Sequence, residues 1–354
     1  MLKRLTNIQV QLLLAIALVG ALVLSAGVGA FSFAPGRMLL YLGQGAHWLA
    51  PTAGDALDRN VFLQLRLPRV LVAGLTGAVL GVSGTLMQGL FRNPIVEPGL
   101  VGTSAGAALG AAAVFVLGGS TAFAPTASLG ALLLPVCAFA GAFGATMVVY
   151  RVSASFGTVN VFTLLLAGIA VNAMCAAGTG YLSFIARDPQ ARNITFWSLG
   201  TFTTATWYGA GMIAAALAAG MFWTRSAGKS LNALMLGEEE AAALGVDPRR
   251  LVMQLLVVNT LMVAVATAMV GVIAFVGLVV PHLLRLLKSS DYTFLIPASA
   301  LLGALLMEVV DVVARLVVAP AELPVGIITA LVGAPIFLAI LLRQQRAGGS
   351  GLHG

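Results

Sequence analysis

Glu308, Asp311 and Arg315 fall three and four residues apart inside an otherwise apolar run, so a helix would bring all three to one face. Ionisable groups in such a setting can relay protons or ions, line a watered path, or neutralise one another. The Asp311 to Arg315 step is an i,i+4 pair that can close on itself, whereas Glu308 has no partner nearby in the sequence. Other chemical signatures are sparse. Gly228-Lys229-Ser230 resembles the end of a phosphate loop, but Trp223 stands where its first glycine belongs. There is no His-Glu-x-x-His, and His47, His282 and His353 are widely separated. Cys137 and Cys175 each lie in apolar stretches, where they read as small hydrophobes. No metal set and no catalytic group is therefore expected.

The elements that must position these groups are membrane spans. The 354 residues are 60% hydrophobic and 9% charged, with a mean hydropathy of +1.01. A water-soluble domain carries roughly a quarter charged residues. That balance excludes a soluble enzyme, a nucleic-acid-binding module and a secreted disulfide scaffold. Apolar runs of helical length, without ten-residue alternation, indicate an all-α polytopic membrane protein and not a barrel. About ten transmembrane helices are predicted, near 11–33, 62–89, 99–118, 127–150, 159–185, 196–223, 251–270, 272–287, 294–318 and 324–342. The first is read as a retained span and not a signal peptide, because the apolar stretch continues to Phe33.

With both termini cytoplasmic, twelve of the nineteen Lys and Arg fall on inner loops, and Arg37, Arg59, Arg66, Arg69, Arg187, Arg192 and Arg315 remain outside. The pI near 10.0 thus reflects topology and not nucleic-acid binding. The longest inner segment, 224–250, is predicted to hold one short helix over 231–244 that stops at Gly245. It separates two groups of four spans that enter from opposite sides, an inverted-repeat architecture. Gly77-x3-Gly81 and Gly102-x3-Gly106-x3-Gly110 read as close-packing faces.

Several polar segments occur in a fixed order: Arg66-Leu67-Pro68-Arg69; Gln88 and then Arg92-Asn93-Pro94-Ile95-Val96-Glu97-Pro98-Gly99; Leu236-Gly237-Glu238 and then Leu244-Gly245-Val246; Phe275 through His282; and Glu322-Leu323-Pro324-Val325-Gly326 with Gly333-Ala334-Pro335. Together they resemble the FecCD permeases, the membrane subunits of type II ATP-binding-cassette importers for iron siderophores, heme and vitamin B12. The resemblance spans about 60–342 and implies a single permease domain over 1–354 with two inverted four-helix halves. It also implies a homodimer in the bacterial inner membrane, two cytoplasmic ATPase subunits that carry ATP-Mg, and a periplasmic substrate-binding protein. The permease would hydrolyse nothing and hold no cofactor.

Carried over by motif, Gly237, Glu238, Ala241, Leu244 and Gly245 within 224–250 would couple to the ATPase, Arg66, Arg69 and Arg315 would dock the binding protein, and Asn160 and Val161 would lie at the inner gate. Asp188 to Gly200, with Ala205-Thr206-Trp207, looks most like the heme permeases, so heme is the expected cargo, with a ferric siderophore or vitamin B12 as the alternative. Thr201, Phe202, Thr203 and Thr204 depart from the family's usual small residues, and Glu308 from its apolar one. An ion-coupled secondary transporter using Glu308 and Asp311 is the more distant alternative.

Overall fold

The computed structural model describes residues 5–29, 31–50, 52, 55–118, 130–154 and 161–349. In chain order its helices are α1 (Asn7–Gly27), α2 (Pro35–Gly45), α3 (Ala56–Asn60), α4 (Leu67–Leu90), α5 (Thr103–Leu117), α6 (Leu133–Ser153), α7 (Val161–Ile185), α8 (Asp188–Ser198), α9 (Trp207–Thr224), α10 (Ala227–Leu234), α11 (Glu238–Ala243), α12 (Pro248–Val270), α13 (Val276–Leu287), α14 (Tyr292–Leu316) and α15 (Val325–Gly349). A π-helical turn, Val61–Arg66, joins α3 to α4 without a break. Among the described residues six helices are long and apolar enough to cross a membrane: α1, the α3–α4 run, α6, α7, α12 and α14. α5, α13 and the first part of α15 are apolar but shorter.

The α4–α7 and α12–α15 sets pack in matched ways. α4 against α14 is mirrored by α12 against α6, and α4 against α13 by α12 against α5. Within each set, α5–α6, α5–α7 and α6–α7 correspond to α13–α14, α13–α15 and α14–α15. The two halves thus share one packing plan.

Helix α4 is the enclosed mast of the bundle, and glycines let its neighbours touch its backbone. A Cβ on Gly77 would strike the Gly303 carbonyl, one on Gly81 the Ser299 carbonyl, and one on Gly84 the Gly277 carbonyl. The predicted face of α5 behaves alike: Gly106 abuts Gly141 and Gly110 abuts Cys137. Gly228 sits on the Thr293 backbone, so the chance phosphate-loop look-alike is a packing residue of α10.

Three expectations need correction. The sixth predicted span, 196–223, is two helices, because Gly200 takes a left-handed φ of +67°. The turn is pinned by Thr201 N donating to the Val270 carbonyl (2.8 Å) and Gly326 N to the Leu199 carbonyl (2.9 Å). Thr206 then caps α9. The helix predicted over 231–244 is also two, α10 and α11, broken at Gly237 (φ +144°). Spans three and eight are shorter α-helices behind lead-ins that are not α-helical, 91–102, which holds the short 3-10 turn Pro98–Val101, and 271–275. At about 1.5 Å per residue, the twelve-residue α13 rises only about 18 Å. It is therefore too short to cross a hydrocarbon core of about 30 Å by itself. Helix α2, which follows Ala34 with Pro35 at its first position, was not predicted.

Candidate functional site

At the end of the bundle opposite 224–250, the three predicted arginines are brought together with Asp311, but none stands free. Arg66 donates to the carbonyls of Val28 (2.8 Å) and Phe31 (3.1 Å), which fastens the segment after α1. Arg69 reaches Asp311 Oδ1 through Nε (2.9 Å) and Nη2 (2.8 Å). Its Nη1 donates to both oxygens of Glu322, at 2.9 and 2.7 Å. Arg315 pairs with Asp311 (3.0 Å) and donates to the Ser25 carbonyl (3.1 Å), Ser25 Oγ (2.9 Å) and the Val28 carbonyl. The i,i+4 bridge expected from spacing is therefore present, and Arg69 joins it from α4. Forked guanidinium–carboxylate bonds are directional and strong where water is scarce. Asp311 is wholly buried and Arg69 keeps 12% of its side chain exposed, so the cluster clamps α1, α4 and α14.

Glu308 is fully buried one turn earlier. Its oxygens lie beside Ser25 and the Gly74 backbone without a hydrogen bond among the described residues, and it lines neither cavity described next.

A cavity of about 1050 Å³ opens near this end, and Trp197, Thr201, Thr203, Thr204, Thr206 and Glu322 contribute to its wall. Thr201, Thr203 and Thr204 thus line space. A second cavity, about 470 Å³, meets Glu97, Ser104, Asn172, Thr179 and Ser198. Here the two lead-ins cross. Glu97 Oε1 accepts the Phe275 N–H (2.7 Å), and Pro98 abuts Gly277. Phe275 holds a left-handed φ of +68°, a conformation that costs a non-glycine residue and persists only when its surroundings fix it. Asn172 of α7 donates to the Gly99 and Leu100 carbonyls (3.4 and 3.3 Å), which satisfies the other lead-in.

At the opposite end, the turns that close α10 and α11 present Met235, Leu236 and Leu244 outward, the last two 68% and 64% exposed. Ala241 faces inward with no exposure, and Gly237 and Gly245 supply the left-handed corners on either side of α11. Glu238 is bonded to Arg92 in the loop after α4. Val161 sits beside this pair in a crevice of about 270 Å³ with Leu90, Leu234 and Pro248. Asn160 lies outside the described residues.

Sequence reasoning gave no role to Glu322, Glu97, Gln88 or Arg285, although the first three stand inside the ordered motifs. Apart from the Tyr292 that Arg285 also meets, their partners are far away in the chain, so local spacing carries no signal for them.

The FecCD transport family matches residues 14–343. The hemin transport system permease protein HmuU of Yersinia pestis is 42% identical over 295 residues, which is 82% of this chain and 86% of that protein. The vitamin B12 import system permease protein BtuC of Salmonella typhi is 40% identical over 312 residues, 87% of this chain and 92% of that protein. A solved metal-chelate-type ABC transporter in an inward-facing conformation superposes with a TM-score of 0.80 at 31% identity, covering 95% of this chain and 99% of its own.

Proposed function

The chain belongs to the FecCD transport family and is the permease subunit of an ATP-binding-cassette importer, and from that premise we propose that its cargo is heme. ATP hydrolysis lies with a separate ATPase subunit, and the secondary-transporter alternative falls away with the family assignment. The observation that carries the heme reading is α8 and its approach. Arg187 and Arg192 are exposed there, Arg192 lies 5.3 Å over the Phe196 ring, and Tyr181 and Phe184 are 64% and 85% exposed. Flat aromatic faces beside guanidinium groups suit a planar macrocycle with carboxylate arms. The hemin permease relative agrees, and vitamin B12 is the second reading because its permeases match nearly as well.

In this reading the 224–250 end is cytoplasmic and its exposed Leu236 and Leu244 seat α10–α11 in a cleft of the ATPase. The arginine cluster faces the periplasm and meets carboxylates of a substrate-binding protein. Two copies form the working dimer in the bacterial inner membrane, with α7 on the path. The deciding experiment is uptake into proteoliposomes holding this permease, its ATPase and its binding protein. ATP-dependent entry of heme, with no entry of cobalamin or a ferric siderophore, is the expected result. Entry of another chelate alone would replace heme as cargo and leave the importer assignment standing.

A further inference from the structure

A file of polar groups runs from α10 into the middle of the bundle. Asn232 of α10 donates to Asp291 Oδ1 (2.7 Å) and accepts the Tyr292 N–H (3.0 Å), so one amide grips the start of α14 twice. Asp291 is fixed in turn by the N–H and hydroxyl of Thr293, at 2.8 and 2.7 Å. The Tyr292 ring lies 5.7 Å from the Arg285 guanidinium, which also donates to the Tyr292 hydroxyl at 3.4 Å. Arg285, near the end of α13, donates to Gln88 Oε1 near the end of α4. Gln88, 1% exposed, spends its own amide on the Gly277 and Leu278 carbonyls, at 3.3 and 3.4 Å. Those carbonyls belong to the first turn of α13, directly after the Phe275 N–H that Glu97 holds.

Packing reinforces the file at its head. Gly228 rests on the Thr293 backbone, and Leu231 and Tyr292 both press on Gly89. Apolar contact alone resists sliding weakly, because it is non-directional. Hydrogen bonds in a low-dielectric interior fix distance and angle, and breaking one strands a buried polar group. The file therefore holds α10, the start of α14, both ends of α13 and the end of α4 in one register.

We propose that Gln88 and Arg285 are positioning residues for transport: they carry displacement of α10 to the crossing of the two lead-ins, where Glu97 meets α13. This rests on the reading of α10–α11 as the segment that the ATPase moves. A pull on Asn232 is delivered through Tyr292 and Arg285 to Gln88, and Gln88 levers the first turn of α13 against the Glu97–Phe275 contact beside the 470 Å³ cavity. A two-position element of this kind converts loop movement into a change at mid-membrane.

The test uses the assembled permease, ATPase and binding protein in proteoliposomes, with heme and cobalamin as parallel probes, and reads molecules taken up per ATP hydrolysed. Gln88→Leu, which keeps volume and removes both sets of bonds, should assemble and hydrolyse ATP but lose about tenfold in that ratio. Asn232→Ala should lose a similar amount. Because both act on one file, the double variant should fall no further than the worse single, whereas separate lesions would multiply. An unchanged ratio in Gln88→Leu, or multiplying losses in the double variant, would overturn the proposal. If Gln88→Leu fails to assemble, Gln88→Glu, which keeps the acceptor for Arg285 and loses the donors to α13, takes its place in the same cycle with the same expectation. Failure of α10–α11 to contact the ATPase would appear separately, as Leu236→Ser and Leu244→Ser complexes that copurify normally.

Discussion

Arg69 and Glu322 form a one-nitrogen fork, in which a single guanidinium nitrogen is shared between both carboxylate oxygens at 2.9 and 2.7 Å. Glu322 is the more exposed partner, 33% against 12%. A carboxylate brought to Arg69 by the proposed docking protein would therefore meet a position that the chain already fills.

Replacing Glu322 by Gln should accordingly tighten binding-protein docking, by roughly twofold to fivefold, as expected for release of one partly exposed ion pair. Arg69→Glu should abolish it. Surface-immobilised binding protein and permease in nanodiscs give the comparison, and weaker docking in the Gln variant would show that Glu322 assists and does not compete.

Arg315 is the main internal partner of Ser25 and shares Asp311 with Arg69. Arg315→Ala leaves a buried carboxylate with half its compensation, and loss of one member of such a pair costs about 3–5 kcal/mol. Thermal unfolding in detergent should move sharply downward. Arg59→Ala, in the short α3, should hardly shift it.

Gly84 lies against the Gly277 carbonyl, so Gly84→Ala forces α4 and α13 apart. Gly144 has open space around its would-be Cβ. Yield of monodisperse protein should collapse for Gly84→Ala and stay at the parent level for Gly144→Ala.

The Arg92–Glu238 ion pair joins α11 to the loop after α4. Reversing Arg92 to Glu puts like charges together and should lower transport per ATP, and the exchanged pair Arg92→Glu with Glu238→Arg should restore most of it. No recovery in the exchanged pair would assign the loss to Arg92 alone.

Partial burial pushes the Asp291 carboxyl up, and bonds from Asn232 and Thr293 outweigh that and hold it below its ordinary 3.8. A depressed acid contributes its stability in full above the ordinary value and loses it as pH falls through the depressed one. Coupling through Asn232 should thus be flat from about pH 5 to 8, and the margin in thermal midpoint of the parent over Asp291→Asn should begin to fall only below about pH 4.

The helices were readable wherever apolar length or small-residue spacing decides the outcome. Gly77 and Gly81, and Gly106 and Gly110, announced contacts that the structure contains. Asp311–Arg315 was equally legible, because both ends lie on one helix. Arg69–Asp311 was not, since 242 residues separate them and only the assembled bundle makes them neighbours. Hydropathy likewise could not reveal that 271–275 is unwound. Those residues are as apolar as a helix, and what permits an unwound backbone there is a carboxylate from Glu97, 178 positions earlier. The break between α8 and α9 had a local sign in Gly200, but one glycine among 41 in the chain does not declare a left-handed turn.

The enclosed position of α4 bears on how the protein is made. Its small and hydroxylated residues, Gly77, Gly81 and Thr85, find their partners on α14, and Thr85 donates to Ser299 at 2.7 Å. The ribosome reaches α14 only some two hundred residues after α4 has left it, so α4 waits in lipid with a cohesive face uncovered. Chains truncated before α14 should therefore be cleared by membrane quality-control proteases, and supplying α14 as a separate span should rescue them.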